Sequence, residues 1–214
     1  MTSTSSSSNQ LPAKPAYQRQ AEIVLGGIAA MYVIYILLDL VEANYNPINQ
    51  MISEHLHGPY RWVMFFGFLG LAVAHWVLSI ALKTGFNGQI RYKAGAIFLK
   101  ISAIGFLLAG SFSDSSNLLG NTEIESGFVH LLASMLAFLM LFIAQLIITF
   151  QFWKAGRLHG IYRLLPWVAV LSIIFFLIPF EGPVGLVQRL YLLIPLGWTA
   201  LVATGIRSEA FRIQ

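Results

Sequence analysis

The chain contains no cysteine. That excludes disulfides, thiolate metal sites and cysteine nucleophiles together. Charge is scarce as well. Lys, Arg, Asp and Glu make up 10% of 214 residues, where a water-soluble domain carries about 25%. Mean hydropathy is +0.72, so a soluble globular domain is excluded. Nor does the chain hold a Walker motif, a GxSxG or an HExxH, and its glycines are scattered through apolar runs. No phosphate loop, nucleophile elbow or zincin helix points to soluble-cofactor chemistry. Residues 1–18 (MTSTSSSSNQLPAKPAYQ) are rich in Ser and Pro, poor in bulky aliphatics, and read as a mobile tail.

What the chain does have is long apolar runs. A membrane-crossing helix needs about 20 mostly apolar residues. Six stretches qualify, at about 22–43, 60–83, 93–112, 127–153, 163–181 and 184–206. The fold expected is an all-α integral membrane bundle of six transmembrane helices over 19–207, followed by a short cytoplasmic tail, 208–214. The first run is long enough to span and has no basic, short-cored signal pattern before it. Pro179 and Pro195 should kink or end helix locally in the last two spans.

The charges then orient the bundle. Formal net charge is +4, from 13 Lys and Arg against 9 Asp and Glu. Lys14, Arg19, Lys83, Arg91, Lys93, Lys154, Arg157, Arg163, Arg207 and Arg212 all fall on the termini side of an even number of spans. The other three connections hold mostly acidic groups: Glu42, Glu54, Asp114, Glu123, Glu125 and Glu181. The positive-inside rule gives both termini inside. The basic balance is thus an orientation signal, and no nucleic-acid partner is implied. Between spans one and two, NPINQMISEHLHG (46–58) reads as a short interfacial helix, with an ordered loop as the alternative: Asn46 suits the cap, Pro47 the first position and Gly58 the end.

Ionisable groups in a membrane are costly and mark candidate sites. Two layers emerge. An inner one holds His75, Lys100 and Gln145, each about 12 Å from the cytoplasmic end of its own span at helical rise. These are either interhelical bonds and a snorkelling lysine, or a proton or ligand site. The outer layer holds Asp39, Glu42, Ser53, Glu54, His55, His57, Asp114, His130, Glu181 and Arg189. Arg189 sits about 8 Å below the surface and needs a partner, for which Asp39 or Asp114 would serve. The pair is either a structural clamp or an anion contact. The reading adopted is no metal and no cofactor. The alternative is a zinc site from His55, His57, His130 and Asp114, whose residue types suit one. His-x-His on a helix points its rings to nearly opposite sides, which counts against it. Haem between His75 and His130 is excluded by a depth difference of about 18 Å.

Three stretches carry a resemblance. ISEHLHGPYRWVMFFGFLGL (52–71) opens the second span, IGFLLAGSFSDS (104–115) ends the third, and GFVHLLASMLAF (127–138) opens the fourth. In this order they resemble a prokaryotic six-helix membrane family, domain-of-unknown-function 998, over approximately residues 20–206. The resemblance implies the six-helix fold and a fingerprint falling on Ser53, on Phe112 and Asp114, and on His130. Where many relatives carry proline in the turn this chain has Ser113. The family implies no reaction.

The function expected is therefore that of a multi-pass protein of the cell membrane, a bacterial inner membrane by its resemblance. It would have an outward-facing polar vestibule binding a lipid headgroup or small ligand, or docking another membrane subunit. The candidate contacts are Ser53, His57, Asp114, His130, Arg189 and Asp39. Two alternatives stay open. One is a membrane-embedded lipid hydrolase built on Asp114 and His130. The other is a small transporter or proton-linked channel using His75 and Lys100.

Overall fold

The computed structural model describes residues 14–86, 92–112, 123–177 and 182–211, with the side chains of 123–126 left aside. Six α-helices follow one another: α1 Ala16–Val41, α2 Arg61–Gly85, α3 Lys93–Ser111, α4 Glu123–Lys154, α5 Leu165–Leu177 and α6 Val184–Arg207. No strand occurs among the described residues. All six, α5 with the 3-10 turn Gly160–Leu164 before it, are long and apolar enough to cross a membrane. Their exterior is apolar too: Leu40, Trp167, Leu177, Trp153 and Phe128 are more than half exposed. Such a surface suits acyl chains, not water.

In lipid the hydrophobic effect does not hold helices together, so close approach between small residues must. Here α1, α2, α3 and α4 pack successively and α6 returns to α1, with α5 against α4 and α6. A Cβ placed on Gly27 would lie 2.4 Å from the Gly70 carbonyl oxygen, and one on Gly105 would lie 2.8 Å from the Ala137 amide nitrogen. Glycine is what lets α1 meet α2, and α3 meet α4, backbone to backbone. Two buried hydrogen bonds tie α4 to α6: Gln145 Nε2 donates to the Pro195 carbonyl (3.1 Å) and Trp198 Nε1 to Thr149 Oγ1 (2.9 Å). Pro195 does not end α6, which runs on to Arg207. Pro179 lies outside the described residues.

The start of α1 and the end of α6 lie together at one end of the bundle. Tyr17 and Gln18, at the start of α1, donate to the Glu209 carboxylate just past α6, and Arg207 reaches Glu22 (3.4 Å). This contact explains why α1 starts at Ala16, inside the stretch expected to be tail: Tyr17 is buried and its hydroxyl is bonded. Likewise Phe211, in the expected terminal tail, is buried.

The connection between α1 and α2 is mostly an ordered loop, the second of the two expectations for it. Of 46–58, only Ile52–Leu56 is helical, as a 3-10 turn. Local side-chain bonds account for it. Asn46 Oδ1 accepts the amides of Ile48 (3.0 Å) and Asn49 (3.4 Å), closing a tight turn. Met51 is extended, and its amide donates to Glu54 Oε1 (2.8 Å). The first two are the capping bonds that suit Asn46 to the start of a helix; the third takes the Met51 amide, which a continuous helix would have given to the Pro47 carbonyl, and so ends the turn.

Candidate functional site

The polar residues gather at the end of the bundle away from the termini. Tyr32, Tyr35, Asp39 and Glu42 follow one another at three-to-four spacing, so they share one face of α1. Asp39 and Glu42 stand at a helix C-terminus, where the dipole disfavours negative charge. The fold supplies two nitrogenous partners. Arg189, in the second turn of α6, grips Asp39 through two bonds, Nη2 to Oδ1 (2.6 Å) and Nε to Oδ2 (3.3 Å). His55, fully buried, places Nε2 3.0 Å from Asp39 Oδ1 and Nδ1 against Glu42 Oε2. Carboxylates only accept, so both contacts are made when each ring nitrogen bears a hydrogen. In that form two positive and two negative groups balance.

The remaining donors of Arg189 fold the connection onto the bundle. Nη1 donates to the carbonyls of Pro47 (2.7 Å), Gln50 (3.2 Å) and Gly185 (3.0 Å), and Nη2 also to the Tyr45 hydroxyl (3.2 Å). Tyr45 stacks on His55 with ring centroids 3.8 Å apart. Burial pushes the Tyr45 phenol up to about 12, against the pull of Arg189. Further bonds run from the Leu186 amide to the Ile48 carbonyl (3.1 Å) and from the Ile52 amide to Gln188. The Arg189 fork is thus occupied on every side, which makes it a clamp and leaves it no donor for an anion.

The other candidates are placed as follows. Ser53 is half-buried and His57 exposed on the same 3-10 turn. His55 and His57 diverge, one into the network and one to the surface. His130, half-buried on α4, binds the end of α3: its Nδ1 lies 2.8 Å from the Ala109 carbonyl and 2.9 Å from that of Phe112. Nδ1 therefore carries the hydrogen. In the neutral ring Nε2 is left as an acceptor, with Ser134 Oγ 3.5 Å away. Asp114 and Glu181 lie outside the described residues. Among those described, no three His, Asp or Glu side chains are placed to hold a metal ion.

The inner layer comes apart. His75 is fully buried on α2, donates through Nδ1 to the Leu71 carbonyl (2.8 Å) and stacks on Phe106 of α3 at 5.2 Å. Lys100 is exposed, its ammonium 5.2 Å from the Trp76 ring on the lipid-facing surface. Gln145 turns to α6. Its depth differs as well. Phe106, level with His75, meets Phe138 at 5.3 Å, and Gln145 lies about 10 Å further along α4 at helical rise. Counting depth from each span's own end fails because the ends are not level.

Sequence reading missed Tyr45, Gln50 and Gln188 as parts of the distal network. Their only signal was the need of buried charges for further donors and acceptors, which names no residue.

The family model described as "Protein of unknown function (DUF998)" matches residues 24–205, nearly the whole chain. No curated protein and no solved structure matches it. The match runs from within α1, across the four helices between and the Arg189 clamp, into the last turn of α6, and the chain belongs to the DUF998 family.

Proposed function

We propose that this membrane protein binds a lipid by its headgroup at the distal end of the bundle and carries out no reaction on it. The observation that supports this is the clamped connection. Four ionisable side chains, Asp39, Glu42, His55 and Arg189, engage one another and so hold a polar segment rigidly where the helices leave the membrane. That segment carries Ser53 and His57. A ready-made polar edge lowers the ordering cost of binding. His130 adds an acceptor at Nε2, which suits a headgroup that donates, an ammonium or a hydroxyl. Asp114 is a further candidate contact by its place in the family fingerprint. With the positive-inside orientation, the site faces the outer leaflet of the cell membrane, in a bacterium the inner membrane.

The test is native mass spectrometry of protein released from membranes containing phosphatidylethanolamine and phosphatidylglycerol. Wild type should retain lipid, and His130→Ala should retain roughly ten-fold less, the loss of one hydrogen bond to a charged donor. Equal retention by wild type, His130→Ala and His57→Ala would remove the reading. Retention of a second protein in place of lipid would turn it to subunit docking.

A further inference from the structure

The opposite end of the bundle is closed by an aromatic cluster. Phe152 of α4 stacks on Phe211 with centroids 4.2 Å apart, and Phe86, Tyr92 and Tyr162 complete the group. The chain directs Arg157 into it. Helix α4 ends in a paired turn: Gly156, at φ +66°, donates its amide to Trp153, and Arg157 donates its own to Phe152, both at 3.0 Å. Only glycine takes that left-handed conformation cheaply, so the turn is written into the sequence.

Arg157 is 4% exposed, and its guanidinium carbon lies 5.0 Å from the Phe86 ring centroid. An arginine stays charged, and a buried charge calls for an opposite one. Among the described residues no carboxylate pairs with it, and its Nε has no hydrogen-bond partner. The ring of Phe86 meets the guanidinium but offers its N–H groups no hydrogen-bond acceptor. On the same ring lies Tyr92, with centroids 4.9 Å apart. It too is 4% exposed, and its hydroxyl has no hydrogen-bond partner among the described residues. Burial pushes the Tyr92 phenol up and the charge of Arg157 pulls it back, so the two groups are within electrostatic reach. Arg189 shows what the same fold does with an arginine used only as a clamp: five acceptors surround it. Arg157 has the burial without the acceptors.

We infer that Arg157 and Tyr92 form an anion site at the termini end of the bundle, one that takes a phosphate group. Two buried donors flanking one ring need an acceptor with several oxygens spread in space, and the planar guanidinium fork suits phosphate. Exposed Lys154 and Arg163 stand on the same connection and add attraction. The phosphate comes either from a membrane phospholipid or from a soluble phosphorylated molecule.

Thermal melting of the full-length protein carrying His130→Ala, which removes the distal headgroup contact proposed above, separates these when every variant is purified and delipidated in dodecyl maltoside. Three additions are compared: dioleoylphosphatidylglycerol, inorganic phosphate, and dioleoylglycerol as a lipid without phosphate. Saturating phosphatidylglycerol should raise Tm by about 5–10 °C, and dioleoylglycerol should not. A rise with inorganic phosphate alone assigns the site to a soluble ligand. Arg157→Met should abolish the rise, Tyr92→Phe should weaken apparent affinity roughly ten-fold, and Arg163→Gln should keep it. No shift in either phosphate arm overturns the inference, as does Arg157→Met responding like its His130→Ala parent. If Arg157→Met does not fold, Tyr92→Phe decides, and unchanged affinity then overturns the site.

Discussion

At the scale of single residues, the distal network shows how an ionic group survives near a membrane. Asp39 accepts from both Arg189 and His55, so its loss strands two partners at once. Removing one member of a buried ion pair costs about 3–5 kcal/mol, because the charge left behind is uncompensated. Asp39→Asn should therefore destabilise the protein by about 3 kcal/mol or more, read by equilibrium unfolding in detergent. Asp39→Asn together with Arg189→Gln should cost less than the sum of the single changes, since no bare charge remains at that pair. Additive losses would mean the two side chains act independently. Part of this was legible beforehand. An arginine about 8 Å below the surface must find a carboxylate, and Asp39 was one of two available. The burial of His55 was not legible, since hydropathy does not fix which way a ring turns on a short connection.

At the scale of elements, the clamp depends on an absence of side chain. A Cβ on Gly185 would lie 2.2 Å from the Gln50 carbonyl oxygen and 2.5 Å from that of Pro47. Both are backbone atoms of the connection, and both accept from Arg189. They cannot swing aside as the end of a flexible side chain can. Gly185→Ala should lift residues 47–50 away from α6 while leaving the six helices packed. Limited proteolysis would show it as faster cleavage within 46–58 at unchanged helical content by circular dichroism. Cleavage at the wild-type rate would show that the connection is held without this contact. The same segment marks a limit of pattern reading. Asn46, Pro47 and Gly58 were sound stop and start signals, yet Glu54 takes the Met51 amide and Arg189 takes the Pro47 and Gln50 carbonyls between them. Those bonds outweighed the three-to-four spacing of Ile48, Met51 and Ile52. The spans themselves were easier, because a run of about 20 apolar residues has few alternatives to a membrane helix.

For the whole molecule, the geometry sets the start of α1 and the end of α6 at one end and the Asp39–Glu42–His55–Arg189 network at the other. Which end faces the cytoplasm is a matter of charge, not of packing. The termini end carries Lys14, Arg19, Lys83, Lys93, Lys154, Arg157, Arg163 and Arg207 among its described residues. Positive charge near span ends is retained on the cytoplasmic side during insertion, so that end should lie inside. The absence of native cysteine makes the check clean, because any introduced thiol is the only one. Asn44→Cys, exposed on the distal connection, should react with a membrane-impermeant maleimide on intact cells. Ala16→Cys, exposed at the start of α1, should react only after permeabilisation. Neither substitution changes a charge, so neither disturbs the bias being measured. The reverse labelling pattern would leave the bundle as it is but exchange its two surfaces. It would place the proposed headgroup edge toward the cytoplasm and Arg157 toward the outside.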